Sequence, residues 1–328
     1  MDCLIDDSWS AQHTDSTKYW YAPLGRFPFG ERPFPNNDSY GVAEEKPNMP
    51  ISKGAASHLT ETQSDDIVGV SERLVLARQA ASALSAFPGK LPHDTSTAYA
   101  IQHLSIKSWP DTVTGWKVGG ISPSFLQQFG TTRLAGPIFR SQTVIASGDD
   151  ALAVSVFENG FAAVEAEFVV CTAARITPFD ASESLRALQD CIASVHIGAE
   201  IASSPMASIN ELGPGAIISD FGNNAGLIVG PSITNWRERA RDDIDIAVSI
   251  NDHQVGATKT SIEDDALNAL EFLIELSSSR GIDLPAGTFV TCGALSGIHE
   301  TEPGDLACVS FEGFGTLNIE FAKRQPTV

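Results

Sequence analysis

The run Ala163-Val164-Glu165-Ala166-Glu167-Phe168-Val169-Val170 is apolar and β-branched apart from two glutamates. In a strand, residues two apart point to one face, with backbone sites roughly 6–7 Å apart. Glu165 and Glu167 therefore converge, and two converging carboxylates repel unless a cation or a basic side chain lies between them. A third acid, Glu200, sits in the alternating run Ile197-Gly198-Ala199-Glu200-Ile201-Ala202. It needs a partner there, because an unpaired buried charge is costly. Carboxylates with no neighbouring His or Cys suit a hard, oxygen-liking cation, Mg²⁺ or Mn²⁺, that keeps positions open for water or substrate. A solvent-facing stripe on an edge strand has the same spacing, so spacing alone leaves both readings open.

Two further segments carry chemistry-bearing groups. Lys117 lies in Gly115-Trp116-Lys117-Val118-Gly119-Gly120, where paired glycines after an apolar strand let one positive charge approach a ligand and stabilise an enolate or a carboxylate. The alternative is a surface lysine at a strand end. The run Ser219-Asp220-Phe221-Gly222-Asn223-Asn224-Ala225-Gly226 tolerates positive φ and offers amide donors, or is a plain turn. No GxGxxG follows a strand and no Walker GxxxxGK[ST] occurs, so nucleotide binding of those kinds is not indicated.

These segments need elements to hold them. Ser71 is placed to cap a helix carrying Leu74, Ala77, Ala81 and Leu84, ended by Pro88 and Gly89. A second helix after Asp94 carries Tyr99, Gln102 and His103. Short apolar stretches then recur between turn residues, at 114–118, 163–170, 192–201, 216–219, 227–229, 244–250, 288–291, 306–311 and 316–321. That is strand spacing, interrupted by helices at about 122–129, 182–191 and 262–280. The expected class is α+β: one catalytic domain over 67–328, with a helical lobe at 67–110 and a β-rich core at 111–323. Residues 1–66 are proline-rich without apolar periodicity, and are expected to form a disordered or loosely draped extension.

The chain has 328 residues, 42% of them hydrophobic, enough for a sizeable core, and a net charge of −20. That charge argues against unaided binding to nucleic acid or anionic membranes, and no apolar run approaches the roughly 18 residues of a membrane span. The five cysteines form no CxxC pair, and Cys171, Cys191 and Cys308 fall in apolar stretches where a buried free thiol is the default. The N-terminus has no basic-then-apolar leader, so a cytoplasmic location is expected by elimination.

Taken in order, several stretches resemble the 2-keto-4-pentenoate hydratase and 4-oxalocrotonate decarboxylase family of the fumarylacetoacetate hydrolase superfamily. They are Ala98-Tyr99-Ala100-Ile101-Gln102, Gly115-Trp116-Lys117-Val118-Gly119, Gln127-Gln128-Phe129-Gly130, Gly136-Pro137-Ile138-Phe139 and Val164-Glu165-Ala166-Glu167. Ala199-Glu200-Ile201-Ala202-Ser203-Ser204, Asn224-Ala225-Gly226, Gly293-Ala294-Leu295, Pro303-Gly304-Asp305 and Glu312-Gly313-Phe314-Gly315 continue the match, which spans about residues 70–323. The resemblance implies a fumarylacetoacetate-hydrolase-like mixed β-roll core, a homo-oligomer, and Mg²⁺ or Mn²⁺ held by Glu165, Glu167 and Glu200. It implies a small 2-keto acid substrate chelating the metal, which acts as a Lewis acid. Lys117 would stabilise the enolate or bind the substrate carboxylate, and Asn223, Asn224 and Leu295 would line the substrate. The implied activity is a metal-dependent lyase, foremost a hydratase of the 2-keto-4-pentenoate type. A decarboxylase of the 4-oxalocrotonate type, a C–C hydrolase of an acylpyruvate and a non-catalytic relative are the alternatives.

The sequence also departs from that family. Leu134-Ala135-Gly136 replaces an Asp-aromatic-Gly motif, Asp264-Asp265-Ala266 replaces Gly-His-Pro, Cys292 replaces a threonine, and the serine-bearing loop reads Gly222-Asn223-Asn224. Asp220 or His196 is the expected replacement proton carrier.

Overall fold

The computed structural model describes residues 61–148, 150–176 and 185–327. Their strands form two sheets. The larger runs β2 (Arg133–Phe139), β1 (Val113–Gly120), β10 (Phe289–Thr291), β5 (Phe161–Thr172), β6 (Ile192–Ser204), β7 (Asn224–Ser232), β3 (Thr143–Ile145), with β11 (His299–Glu300) also paired to β5. The smaller runs β4 (Leu152–Val156), β13 (Gly315–Lys323), β12 (Leu306–Phe311), β8 (Ile244–Ile250), β9 (His253–Thr260). The helices are α1 (Glu61–Gln79), α2 (Thr95–Ser108), α3 (Leu126–Phe129), α4 (Leu185–Asp190), α5 (Ile209–Leu212), α6 (Pro214–Ser219) and α7 (Asn268–Arg280).

The two faces of the large sheet differ. Val164, Ala166, Phe168 and Val170 of β5 and Val195, Ile197, Ala199 and Ile201 of β6 point to one face. They pack with Val248, Val309, Phe311 and Ile319 of the small sheet and Leu270 and Leu273 of α7 in the main core. Alternation sends Glu165, Glu167 and Glu200 to the other face. The antiparallel register sets Glu165 directly opposite Glu200 and Glu167 opposite Gly198. Both strands are buried on both sides, so they read as near-continuous apolar runs and the acids stand out within them. This mixed α+β architecture with curled sheets agrees with the expected class.

The differences from the sequence reading have local causes. Residues 216–219 are helical, not a strand: Gly213 (φ +81°) turns the chain and Pro214 opens α6. A short apolar run does not by itself distinguish helix from strand. Ser71 lies inside α1 and bonds Ser105 Oγ at 2.9 Å, while the helix itself begins at Glu61. Asp94 caps α2 as expected, accepting from Thr97 N. Of residues 1–66, expected to form an extension, 1–60 lie outside the described residues and 61–66 belong to α1. Cys171, Cys191 and Cys292 are free thiols, whereas Cys308 is disulfide-bonded. No helix among the described residues is long and apolar enough to cross a membrane.

Candidate metal centre

Glu165, Glu167 and Glu200 are all buried, and each offers a carboxylate oxygen within 4.8 Å of the others. Lys117, on β1, reaches them from across the sheet, with its Nζ 3.0 Å from Glu200 Oε1. Fully ionised, three carboxylates against one ammonium would leave two negative charges, which one divalent cation balances.

Donors from β7, from β10 and from the two residues after β10 aim Glu200 and Glu167. Asn224 Nδ2 donates to Glu200 Oε1 at 3.2 Å, and Thr291 Oγ1 donates to Glu200 Oε2 at 3.2 Å. Glu167 Oε2 accepts from Cys292 N (2.9 Å), Gly293 N (2.8 Å) and the Cys292 thiol (3.1 Å). Its other oxygen, Oε1, is buried and has no hydrogen-bond partner. An orphaned carboxylate oxygen at full burial is expensive. Here it lies in an all-oxygen donor set of the kind that Mg²⁺ and Mn²⁺ take, so the residues present fit such an ion.

The electrostatics follow from burial. Desolvation pushes Glu165 up to about 7 against the pull of Lys117. Desolvation, reinforced by repulsion from Glu200 and Glu165, raises Glu167 well above the ordinary carboxylate range. Burial opposes the charge on Lys117, but Glu200 and Glu165 outweigh it and hold the ammonium above its usual value. Burial beside Glu167 raises the Cys292 thiol well above its usual value.

Glycine is required where the loop before β7 meets β1 and β2. Phe221, Gly222 and Asn223 follow one another at φ of +55°, +67° and +65°. A Cβ on Gly136 would lie 2.1 Å from Phe221 O, and one on Gly222 would lie 2.9 Å from Lys117 Cδ. The loop therefore packs directly onto the lysine stem and carries Asn223 and Asn224 with it. Both asparagines are buried, and the Oδ1 of each has no partner.

Other residues singled out in the sequence lie in different surroundings. Leu295 joins the site strand through its backbone, donating to Ala166 O at 3.0 Å, while its side chain packs against the main core. Asp220 forms a buried ion pair with Arg78 at 2.5 Å and accepts from Ser204 Oγ at 2.6 Å, so both of its oxygens are bound. His196 bonds Ser194 Oγ and Gly230 O, each at 2.9 Å. Leu134, where the family carries an acid, is buried among Tyr99, Phe129 and Ile218. Asp264 and Asp265 accept from Ser261 Oγ and Thr260 Oγ1 at the turn leading into α7.

Sequence reasoning missed Arg78, Thr291 and the backbone donors of 292–293. Arg78 had a readable signal, since it continues the core-facing row Val70, Leu74 at helical spacing.

With this fold and site, the chain belongs to the fumarylacetoacetate (FAA) hydrolase C-terminal family, which matches residues 136–322. It is similar to a 4-oxalocrotonate decarboxylase of Pseudomonas putida, 23% identical over 108 residues, which is 32% of this chain and 40% of that protein. The fold resembles solved structures of 4-oxalocrotonate decarboxylase from Pseudomonas putida G7, one complexed with magnesium and adipate and one with calcium and acetate. Each has a TM-score of 0.65 at 20% identity, covering 79% of this chain and 98% of the other.

Proposed function

We propose that this protein is a divalent-metal-dependent lyase that decarboxylates an unsaturated 2-oxo acid of the 4-oxalocrotonate type. Glu165, Glu167 and Glu200 would hold the ion, Mg²⁺ or Mn²⁺. A bound divalent cation supplies Lewis acidity towards the carboxylate and 2-oxo oxygens of such a substrate.

The remaining chemistry belongs to the chain. Lys117, kept protonated by Glu200 and Glu165, sets a fixed positive charge beside the ligand oxygens. Negative charge grows there as the carbon–carbon bond to CO₂ breaks, and a preorganised cation in a dry site stabilises that charge. Asn223 and Asn224 have buried amide oxygens without a partner, which would accept a hydrogen bond from substrate or water. The buried strands around the triad exclude bulk water.

The observation favouring decarboxylation over hydration is the placement of Asp220. Adding water to a diene needs a group that removes a proton from water and one that delivers a proton to carbon. Asp220 is bound by Arg78 and Ser204, His196 by Ser194 and Gly230, and the 134–135 positions carry no acid. Loss of CO₂ needs an electron sink and no base for water. The similarity to 4-oxalocrotonate decarboxylase supports the same choice.

The test is turnover of a panel of unsaturated 2-oxo acids with Mg²⁺. CO₂ release and loss of the 2-hydroxydienoate absorbance are followed separately. CO₂ release abolished by Glu165→Gln is expected. Hydration of the dienoate with no CO₂ from any panel member would sink the proposal in favour of the hydratase.

A further inference from the structure

Arg78 is about 1% exposed, although it belongs to a helix outside both sheets. Its Nε and Nη2 clasp the Asp220 carboxylate at 2.5 and 3.0 Å, and Nη2 also reaches Asp220 O at 3.0 Å. Nη1 donates to Asn224 O at 3.0 Å, and Nη2 donates to Ser203 O at 3.2 Å. The guanidinium also lies over Phe221 and Phe157, 5.1 and 5.7 Å from the ring centroids.

The position of those two carbonyls is informative. The β6–β7 ladder slips between Ile201 and Ala202, where Gly226 opposes Ile201 but Asn224 opposes Ala202, leaving one extra residue on β7. At such a bulge the regular ladder is interrupted. Arg78 bridges the two strands there, with one hand on Ser203 and the other on Asn224. Asn224 in turn donates its side-chain amide to Glu200 Oε1. A planar guanidinium with five fixed donors can hold this arrangement, whereas an ammonium cannot.

We propose that Arg78, anchored by Asp220, is a positioning residue for the metal centre. It fixes the splay of β6 and β7 and so aims Asn224 at the ligand Glu200. The helical lobe thereby contributes to the metal site without touching it. This inference rests on the metal-site reading above.

The test uses the full chain and free Mn²⁺ followed by electron paramagnetic resonance, alongside thermal melting. Arg78→Lys keeps the charge against Asp220 but loses the two-strand bridge. It should weaken Mn²⁺ binding about 10-fold at temperatures where the variant is folded. Asn224→Ala should weaken it similarly. The double variant should bind no more weakly than Asn224→Ala alone, because the two act in series. A lower melting temperature with unchanged Mn²⁺ affinity, or full additivity with Asn224→Ala, would overturn the role of Arg78. If Arg78→Lys does not fold, Ser204→Ala removes one bond from Asp220 and leaves Arg78 in place. A measurable loss of Mn²⁺ affinity then supports the proposal, and an unchanged affinity refutes it. A wild-type chain that binds no Mn²⁺ would refute the metal-site reading itself, and this role with it.

Discussion

Lys117 Nζ sits 3.0 Å from Glu200 Oε1, with both side chains withdrawn from solvent. A charge-assisted bond of this kind is strong because the surroundings are dry, and losing one partner is costly for the same reason. In the proposed metal-bound enzyme the lysine would have two functions: it counters the carboxylates before an ion binds, and it stays beside the ligand oxygens afterwards. Its position on β1, held by register with Gly136 of β2, makes the charge a rigid part of the sheet.

Lys117→Met should separate those functions. Without metal, the variant should melt lower, by an amount corresponding to about 3–5 kcal/mol for a broken buried pair. Mn²⁺ should recover much of that loss, since it also neutralises the carboxylates. Turnover of the saturated variant should fall about 100- to 1,000-fold, the usual cost of removing one preorganised charge stabiliser. Full turnover in the metal-loaded variant would remove Lys117 from the chemistry.

Protons and metal should compete at the triad. Folding raises Glu165 from an ordinary 4.5 to about 7. The folded carboxyl therefore holds its proton more tightly than the unfolded one. Its contribution is present below pH 4.5 and is lost as the pH climbs towards 7. Glu167 shifts in the same direction, burial again leading. Metal-free protein should lose a few kcal/mol of stability across that window. Stabilisation by Mg²⁺ should grow across the same range, because the ion binds the ionised carboxylates. Melting curves at pH 5, 6 and 7 with and without Mg²⁺ test this. Equal Mg²⁺ stabilisation at all three would contradict it.

The residues whose burial and clustering could be read from the sequence are those whose environment is written in their own neighbourhood. Glu165, Glu167 and Glu200 announce themselves as acids in apolar, β-branched runs. The strand register then adds only that Glu165 faces Glu200. Asp220 shows the opposite case. Its sequence neighbours place it next to the asparagine loop, but its partner, Arg78, is 142 residues away on α1. No local pattern encodes such a pairing. β9 escaped notice because it is a largely exposed, polar edge strand, and such strands lack the apolar alternation that marks a buried one.

Gly136→Ala tests whether the loop of left-handed residues must touch β2. The added methyl would meet a backbone carbonyl, Phe221 O, at 2.1 Å, and a backbone carbonyl cannot swing aside as a side-chain tip can. Overpacking of this type costs about 1–3 kcal/mol or more. The melting temperature should drop, and Mn²⁺ affinity should fall with it, because the displaced loop carries Asn224. A variant with wild-type melting and affinity would show that the loop is free to move.

Thr291, the last residue of β10, and Cys292, which follows it, should differ in their effect on metal binding. Thr291 Oγ1 supplies the hydrogen bond recorded on Glu200 Oε2, so Thr291→Val removes that donor without changing volume. Cys292 Sγ is one of three donors on Glu167 Oε2, and the other two are backbone N–H groups that Cys292→Ala leaves in place. Loss of a hydrogen bond that orients a metal ligand typically costs about 10-fold or more in affinity. Thr291→Val should therefore weaken Mn²⁺ binding by about 10-fold. Cys292→Ala should stay within about 3-fold, because the orientation of Glu167 is already fixed by the main chain. Titration of both variants with Mn²⁺ decides the point. A larger loss in Cys292→Ala than in Thr291→Val would mean that the thiol, rather than the backbone of 292–293, holds Glu167 in place.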